Sequence, residues 1–471
     1  MRSILPTTLV LALAGTALHA QGTPASPPAD SAAVLPERGT DTIRSEYLAA
    51  EDVLRLDLPL LDAPYNLAHG VRGPSMAQSL AVTTSFYELS HLGIQGLWGR
   101  HRSLARLSVG LFDILVASYL PAGDAWLHEE FHRAVMGNRG IDSFNDVYDL
   151  DFGAETIAVS HVDDADLVRL KAEHPAEQAR LGVAGIEGEY LLLQRLQRNR
   201  FFHGSRGFNL PLYWFTKANS AFYVWSGHTA ESDTLTDEMN VLDGADVEVR
   251  DFTGHDFTAW AYDLHRPAEP YGARGVHPSG VGIDRYVKPA DLTEEERAYL
   301  KRQGQLQRLN FLDPALLGIS GITLPSPVGG LPLRLSASAG HVLTSFGHTV
   351  DMNLFLKQGD RNLFVVLHRY ENGARAFPGM DAELIDLPVE VRGRGLLMSP
   401  RLALWMQPAG QAFRTRESKP GALAGLRVVR PGSSRWGTFL EVEAKTTGWV
   451  AGNVSLDPNL SVRLGGSVVL H

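Results

Sequence analysis

Leu331-Pro332-Leu333-Arg334-Leu335-Ser336-Ala337-Ser338-Ala339 is apolar at every odd position from Leu331 to Ala339, with Arg334, Ser336 and Ser338 set between. Residues two apart share a face in an extended chain, so this period predicts a strand with one apolar and one polar side. The same period recurs outward from that stretch. Ile385, Leu387, Val389 and Val391 alternate with Asp386 and Glu390; Leu402, Leu404 and Met406 with Arg401 and Ala403; Leu440, Val442 and Ala444 with Glu441, Glu443 and Lys445. The last run sets Leu460, Val462, Leu464, Val468 and Leu470 against Ser461, Arg463 and Ser467. About eight such segments fall near 331–343, 347–358, 361–371, 381–392, 395–407, 421–430, 435–449 and 459–470. Turn-forming residues separate them, among them Gln358-Gly359-Asp360, Asn372-Gly373, Pro408-Ala409-Gly410 and Asp457-Pro458-Asn459. Residues 330–471 are therefore expected to form an antiparallel, about eight-stranded β-barrel.

Such alternation has two solutions. In a soluble barrel the apolar side points inward and the charges meet water. In an outer-membrane barrel the apolar side meets lipid, and charges of both signs pair across the lumen. Arg334, Arg401, Arg427 and Arg463 recur on the polar side with Asp386, Glu390, Glu441 and Glu443, as a salt-bridged lumen needs. Trp405, Trp436, Trp449 and Tyr370 fall near strand ends, where interfacial aromatic girdles sit. The region resembles a small outer-membrane β-barrel, although it ends in Val469-Leu470-His471 rather than an aromatic residue.

Residues 45–325 read as mainly helical. Within them His128-Glu129-Glu130-Phe131-His132 spells HExxH. Pro121-Ala122-Gly123-Asp124 precedes it as a breaker and cap, and Gly137-Asn138-Arg139-Gly140 follows as a stop, so the motif falls on a helix. Two His four apart on a helix face one way and can share one Zn²⁺, with Glu129 beside them as a base. The chain has no Cys, so a third ligand must be His, Asp or Glu. On a helix expected over Ala176–Arg198, Glu189 shares a face with Gly182, Gly185, Leu192, Leu193 and Leu196, while Glu187 lies with Arg180, Gln194 and Arg198 on the side that reads as wet. A carboxylate on an apolar stripe lined by glycine needs a partner, so Glu189 is the expected ligand. Glu187, on a rotated helix, and an arginine partner for Glu189 remain alternatives.

The motif resembles that of the Glu-liganded zincin metallopeptidases. The resemblance implies His128, His132 and Glu189 as zinc ligands, Glu129 as general base and a peptide or protein as substrate. It covers the motif helix and one later helix only, and no third His stands six positions after His132.

Other segments carry weaker readings. Met76–Trp98 and Leu104–Leu120 have long apolar stretches expected to be buried around the motif helix. Residues 156–162 read as a strand, placed by analogy at an edge beside that helix. Leu210–Trp225 is an aromatic-rich core helix, with a substrate-facing wall as a second reading. His265, Arg274 and His277 are candidates for steadying an oxyanion.

Residues 1–20 resemble a bacterial secretory signal peptide, with Arg2, the apolar run Leu9–Gly15 and a cleavage site at Ala20; 21–44 form a Pro/Ala-rich, disordered leader. An exported chain without Cys draws its stability from packing, metal or a closing sheet. A net charge of −10 argues against nucleic acid. The whole reads as a zinc-dependent hydrolase, a metallopeptidase by resemblance, tethered to the outer membrane. The alternative is a non-enzymatic outer-membrane or periplasmic structural or binding protein in which HExxH is incidental or a structural metal site.

Overall fold

A computed structural model of the chain describes residues 54–68, 73–149, 157–204, 209–325, 330–432 and 435–470. The expected signal peptide (1–20) and leader (21–44) lie outside these residues. Among the described residues there are eleven α-helices, and most of the sheet follows them, an α+β layout. In chain order the helices are α1 (Tyr65–Ala68), α2 (Met76–Trp98), α3 (Arg102–Leu115), α4 (Asp124–Asn138), α5 (Asp164–Glu173), α6 (Pro175–Leu181), α7 (Ala184–His203), α8 (Leu210–Ser226), α9 (Ala230–Asp243), α10 (Asp256–His265) and α11 (Glu294–Leu306). The strands are β1 (Leu54–Ala63), the two-residue pair β2 (Phe144–Asn145) and β3 (Val159–Ser160), β4 (Ile322–Leu324), β5 (Leu333–Thr344), β6 (Gly347–Gln358), β7 (Arg361–Glu371), β8 (Ala376–Ile385), β9 (Leu387–Val391), β10 (Arg394–Pro408), β11 (Ser418–Pro431), β12 (Trp436–Lys445) and β13 (Asn459–Leu470).

The large sheet is antiparallel in the order β1-β13-β12-β11-β10-β8-β7-β6-β5-β4, with β9 also on β10. The period-two segments become strands in their expected order, and 347–358 and 361–371 coincide with β6 and β7. Those two join through Gly359-Asp360, with Gln358 opposite Arg361 and Gly359 at φ +57°, as a two-residue hairpin requires. The sheet holds eleven strands, however, and its edges β1 and β4 do not pair among the described residues, so the ladder is open. The main extra strand is β1, which comes from the region read as helical. Its Leu54, Leu56 and Leu58 alternate with Arg55 and Asp57, and it pairs with β13 from Leu54↔Leu470 to Ala63↔Val462.

The two sides of the sheet differ in chemistry. Leu402, Leu404, Leu440, Leu464, Met352 and Met380 point away from the rest of the molecule and are exposed. The opposite side is charged and paired: Arg401 with Asp381 and Glu443, Arg463 with Glu441 and Asp62, Arg427 and Arg55 with Asp57 and Asp386 respectively. Trp405, Trp449 and Tyr370 are buried on this inner side, so of the four aromatics expected at a girdle only Trp436 is exposed.

Helix α7 lies along the charged side. Tyr190 bonds Asp351 and Asn353, Gln194 bonds Asn353, Arg198 pairs with Glu383, and Phe201 stacks near Phe355. Its other side meets α4. A Cβ on Gly185 would stand 2.2 Å from the His128 ring and one on Gly188 3.0 Å from Phe131, so both glycines are required by this close approach.

Candidate metal centre

The motif lies on α4, which runs from Asp124 to Asn138 with Gly123 before it. The i,i+4 spacing brings the His128 and His132 rings to 4.9 Å between centroids. Both are buried, at 8% and 1% exposed, as is Glu129 at 8%.

Each imidazole is oriented through Nδ1. On His128 this atom meets Glu189 Oε1 at 2.8 Å, and on His132 it meets Leu181 O at 2.6 Å. That carbonyl is available because the expected single helix over 176–198 breaks at Gly182-Val183, ending α6 at Leu181, and a helix leaves its last carbonyls unpaired within itself. Glu189 is held in turn by the Ser220 hydroxyl.

The two Nε2 atoms converge on one carboxylate, and it is Asp256. Its Oδ2 lies 3.1 Å from His128 Nε2 and 3.5 Å from His132 Nε2. The phenol of Tyr223 donates to the same oxygen at 3.2 Å. His128, His132 and Asp256 form a buried group whose ligand atoms lie within 4.8 Å of one another, close enough to hold a metal ion. Asp256 is the first residue of α10, where a negative charge also meets the positive end of the helix. Glu189 is thus brought to the pair, but at the far nitrogen of His128. Glu187 is not: it pairs with Arg180 at 2.8 Å and accepts from Trp449 Nε1 and Gly452 N of the sheet region.

Sequence reasoning passed over Asp256 because it lies far downstream and outside any motif. The signal was present in Gly254-His255-Asp256, a breaker followed by an acid at a helix start.

The electrostatics follow from burial. For Asp256, burial raises the carboxyl pKa, but His132 and His128 outweigh it and hold the group well below the usual range. For His128, burial favours the neutral ring, yet bonds to Asp256 and Glu189 drive its pKa well up. Glu129 is raised well above the ordinary value, first by burial, and further by Asp256, Asp251 and Asp146 despite His128. A cation fits this cluster on two observations. His132 Nε2 is buried without a hydrogen-bond partner, and two imidazoles with one carboxylate suit zinc and other divalent transition metals.

The remaining candidates are placed as follows. Glu130 is fully buried and paired with Arg133 at 2.6 Å, away from the cluster. Arg274 pairs with Asp263, His265 bonds Ala261 O and His277 bonds Ser279, so all three are engaged locally. Of the aromatic helix, Tyr223 alone reaches the cluster; Phe222 and Trp225 are exposed. The segment 157–162 is no free edge: Val159 pairs with Asn145 on one side and its carbonyl accepts from Phe252 N on the other. A cavity of about 290 Å³ lies elsewhere, between α7, β1 and the charged side of the sheet.

No family model, no curated protein and no solved structure matches this chain.

Proposed function

We propose that this chain is a zinc-dependent hydrolase of the outer membrane, with His128, His132 and Asp256 as metal ligands and Glu129 as general base. One observation carries the reading. Both ring nitrogens left over after Glu189 and Leu181 O have oriented the imidazoles point at a single buried carboxylate. Orienting bonds of this kind fix which nitrogen of a histidine can bind a metal. When bound, zinc supplies Lewis acidity toward a carbonyl oxygen and acidifies water.

The residues of the chain supply the rest. Glu129, beside His128 and raised by burial, takes a proton from the attacking water and returns it to the leaving group. Tyr223 keeps Asp256 in place by donating to Oδ2. Glu189 keeps His128 facing the cluster. A peptide is the substrate class implied by the HExxH resemblance, while the cluster itself supports hydrolysis more generally.

The membrane part of the proposal rests on the sheet's polarity. Its leucines face outward and its ion pairs inward, the arrangement a lipid-facing sheet needs and the reverse of a soluble barrel. A closed barrel would need β1 and β4, or other chain, to complete the ladder.

Metal analysis of the purified full chain tests the site. About one zinc per chain is expected, with none in a His128→Ala/His132→Ala variant. Zinc-free protein in both cases, or iron in place of zinc, would overturn the assignment. Glu129→Gln should keep the metal and lose roughly 10²–10⁴-fold in peptide or ester hydrolysis. Full activity in that variant would remove Glu129 as the base.

A further inference from the structure

Helix α3 is expected from sequence to be buried, yet only Ala105, Val109 and Asp113 of it are. Leu104, Leu107, Leu111 and Leu115 are 44%, 59%, 49% and 51% exposed. At 100° per residue these four fall within one narrow stripe, directly opposite the buried face. At the end of α2, Trp98 is 38% exposed and bonds Ser108 of α3, and its neighbour Leu97 is 86% exposed. Scattered exposed leucines need no explanation, but a leucine stripe of three helical turns ending in a tryptophan does.

Charge identifies what covers it. Arg100, His101 and Arg102, all exposed, stand at the start of the stripe, in a chain whose net charge is −10. A local cationic cluster beside leucines is the pattern of a helix lying in the headgroup plane of an anionic leaflet. Trp98 fits that depth, since its indole N–H donates to Ser108 Oγ at 2.8 Å while the ring stays partly exposed. The outward leucines of the sheet show that exposed apolar surface recurs on this molecule.

We infer that α3 is a second membrane contact, lying in the interface of an anionic phospholipid leaflet on its leucine stripe with Arg100 and Arg102 at the headgroups. This goes beyond the seat of the sheet in the bilayer and stands on different residues. The contact would hold the helical body, and the metal cluster within it, against the membrane surface.

The chain has no Cys, so one introduced thiol takes one label. Full-length Leu107→Cys and Leu111→Cys, carrying an environment-sensitive fluorophore, are reconstituted in phosphatidylethanolamine/phosphatidylglycerol vesicles containing acyl-chain nitroxide quenchers. Both labels should be blue-shifted and quenched, whereas a label at the exposed Glu238→Cys on α9 should be neither. Adding Arg100→Gln/Arg102→Gln should lower the quenching to the level seen in phosphatidylcholine vesicles. A Leu402→Cys label reports on the sheet separately. Quenching at 402 with none at 107 and 111 overturns this inference and leaves the sheet reading standing. Quenching at 107 and 111 with none at 402 supports it and removes the sheet reading. A label at 107 that stays unquenched while the unlabelled Leu107→Cys protein forms disulfide dimers under added oxidant, or a label that becomes quenched only after deletion of 21–44, would also overturn it.

Discussion

Glu187 and Glu189 lie two residues apart on α7, are both buried, and face opposite neighbourhoods. Glu187 meets a guanidinium and two N–H donors from Arg180, Trp449 and Gly452. Its charge is met by donors of the protein itself, a guanidinium foremost. Glu189 meets a serine and an imidazole whose other nitrogen already faces a carboxylate. On that side a buried nitrogen of His132 is left without a hydrogen-bond partner. Burial of charge alone therefore does not mark a site. A structural carboxylate has its donors supplied by the chain, whereas the acids and imidazoles of the cluster converge closely enough that they could hold a cation.

The contrast is broken most forcefully at Glu187. Both it and Arg180 are fully buried, so Glu187→Gln leaves an uncompensated guanidinium at a cost of about 3–5 kcal/mol. Denaturant or thermal unfolding should register that loss while the metal content stays at one per chain. Metal loss with little change in stability would instead return Glu187 to the ligand set.

Asp124, at the start of α4, sharpens the comparison next. Burial, followed by the charge of Glu189, pushes its carboxyl from 3.8 up to about 6, against hydrogen bonds from Ser118 and Tyr87. A raised pKa means that the ionised form is disfavoured in the folded chain. Its contribution is fully present below pH 3.8 and is lost as pH rises through about 6. Asp124→Asn keeps an oxygen for Tyr87 and Ser118 and cannot ionise. In metal-stripped protein the variant should match the parent near pH 4 and exceed it by up to about 3 kcal/mol at pH 7. A constant difference across that range would show that Asp124 does not titrate there.

Much of this architecture was legible in the sequence where a local rule governs it. Strands of period two announce themselves because pleating forces alternation, and the HExxH helix because its ends carry a cap region and a glycine stop. The glycine-lined face carrying Glu189 also meets the motif helix as the helical wheel indicated. What failed was long range. Glu187 and Arg198 looked wet because the sheet that covers them comes later in the chain. Conversely α3 looked buried because apolar content says nothing about which neighbour arrives, and among the described residues none covers the Leu107 side. Strand β1 was hidden by its distance from the other strands, and Asp256 by standing outside any motif.

The finest distinction lies within the cluster, between an acid that would bind the metal and one that orients a ligand. Glu189 Oε1 contacts His128 Nδ1 and Nε2 faces Asp256, so in the proposed site Glu189 would act through the ring. Glu189→Gln retains an oxygen for that N–H and removes the charge that makes the imidazole a better donor. Such orienting partners typically account for 10–100-fold in metal affinity, which chelator competition on the full chain can measure. Asp256→Asn, which places a neutral amide between the two Nε2 atoms, should weaken binding well beyond that range. Equal losses from the two substitutions would make Glu189 a ligand after all, with α7 turned by part of a residue toward the rings. A larger loss at Asp256 would mean that the break between α6 and α7, by giving His132 a carbonyl and His128 an acid, exists to aim two nitrogens at a third element.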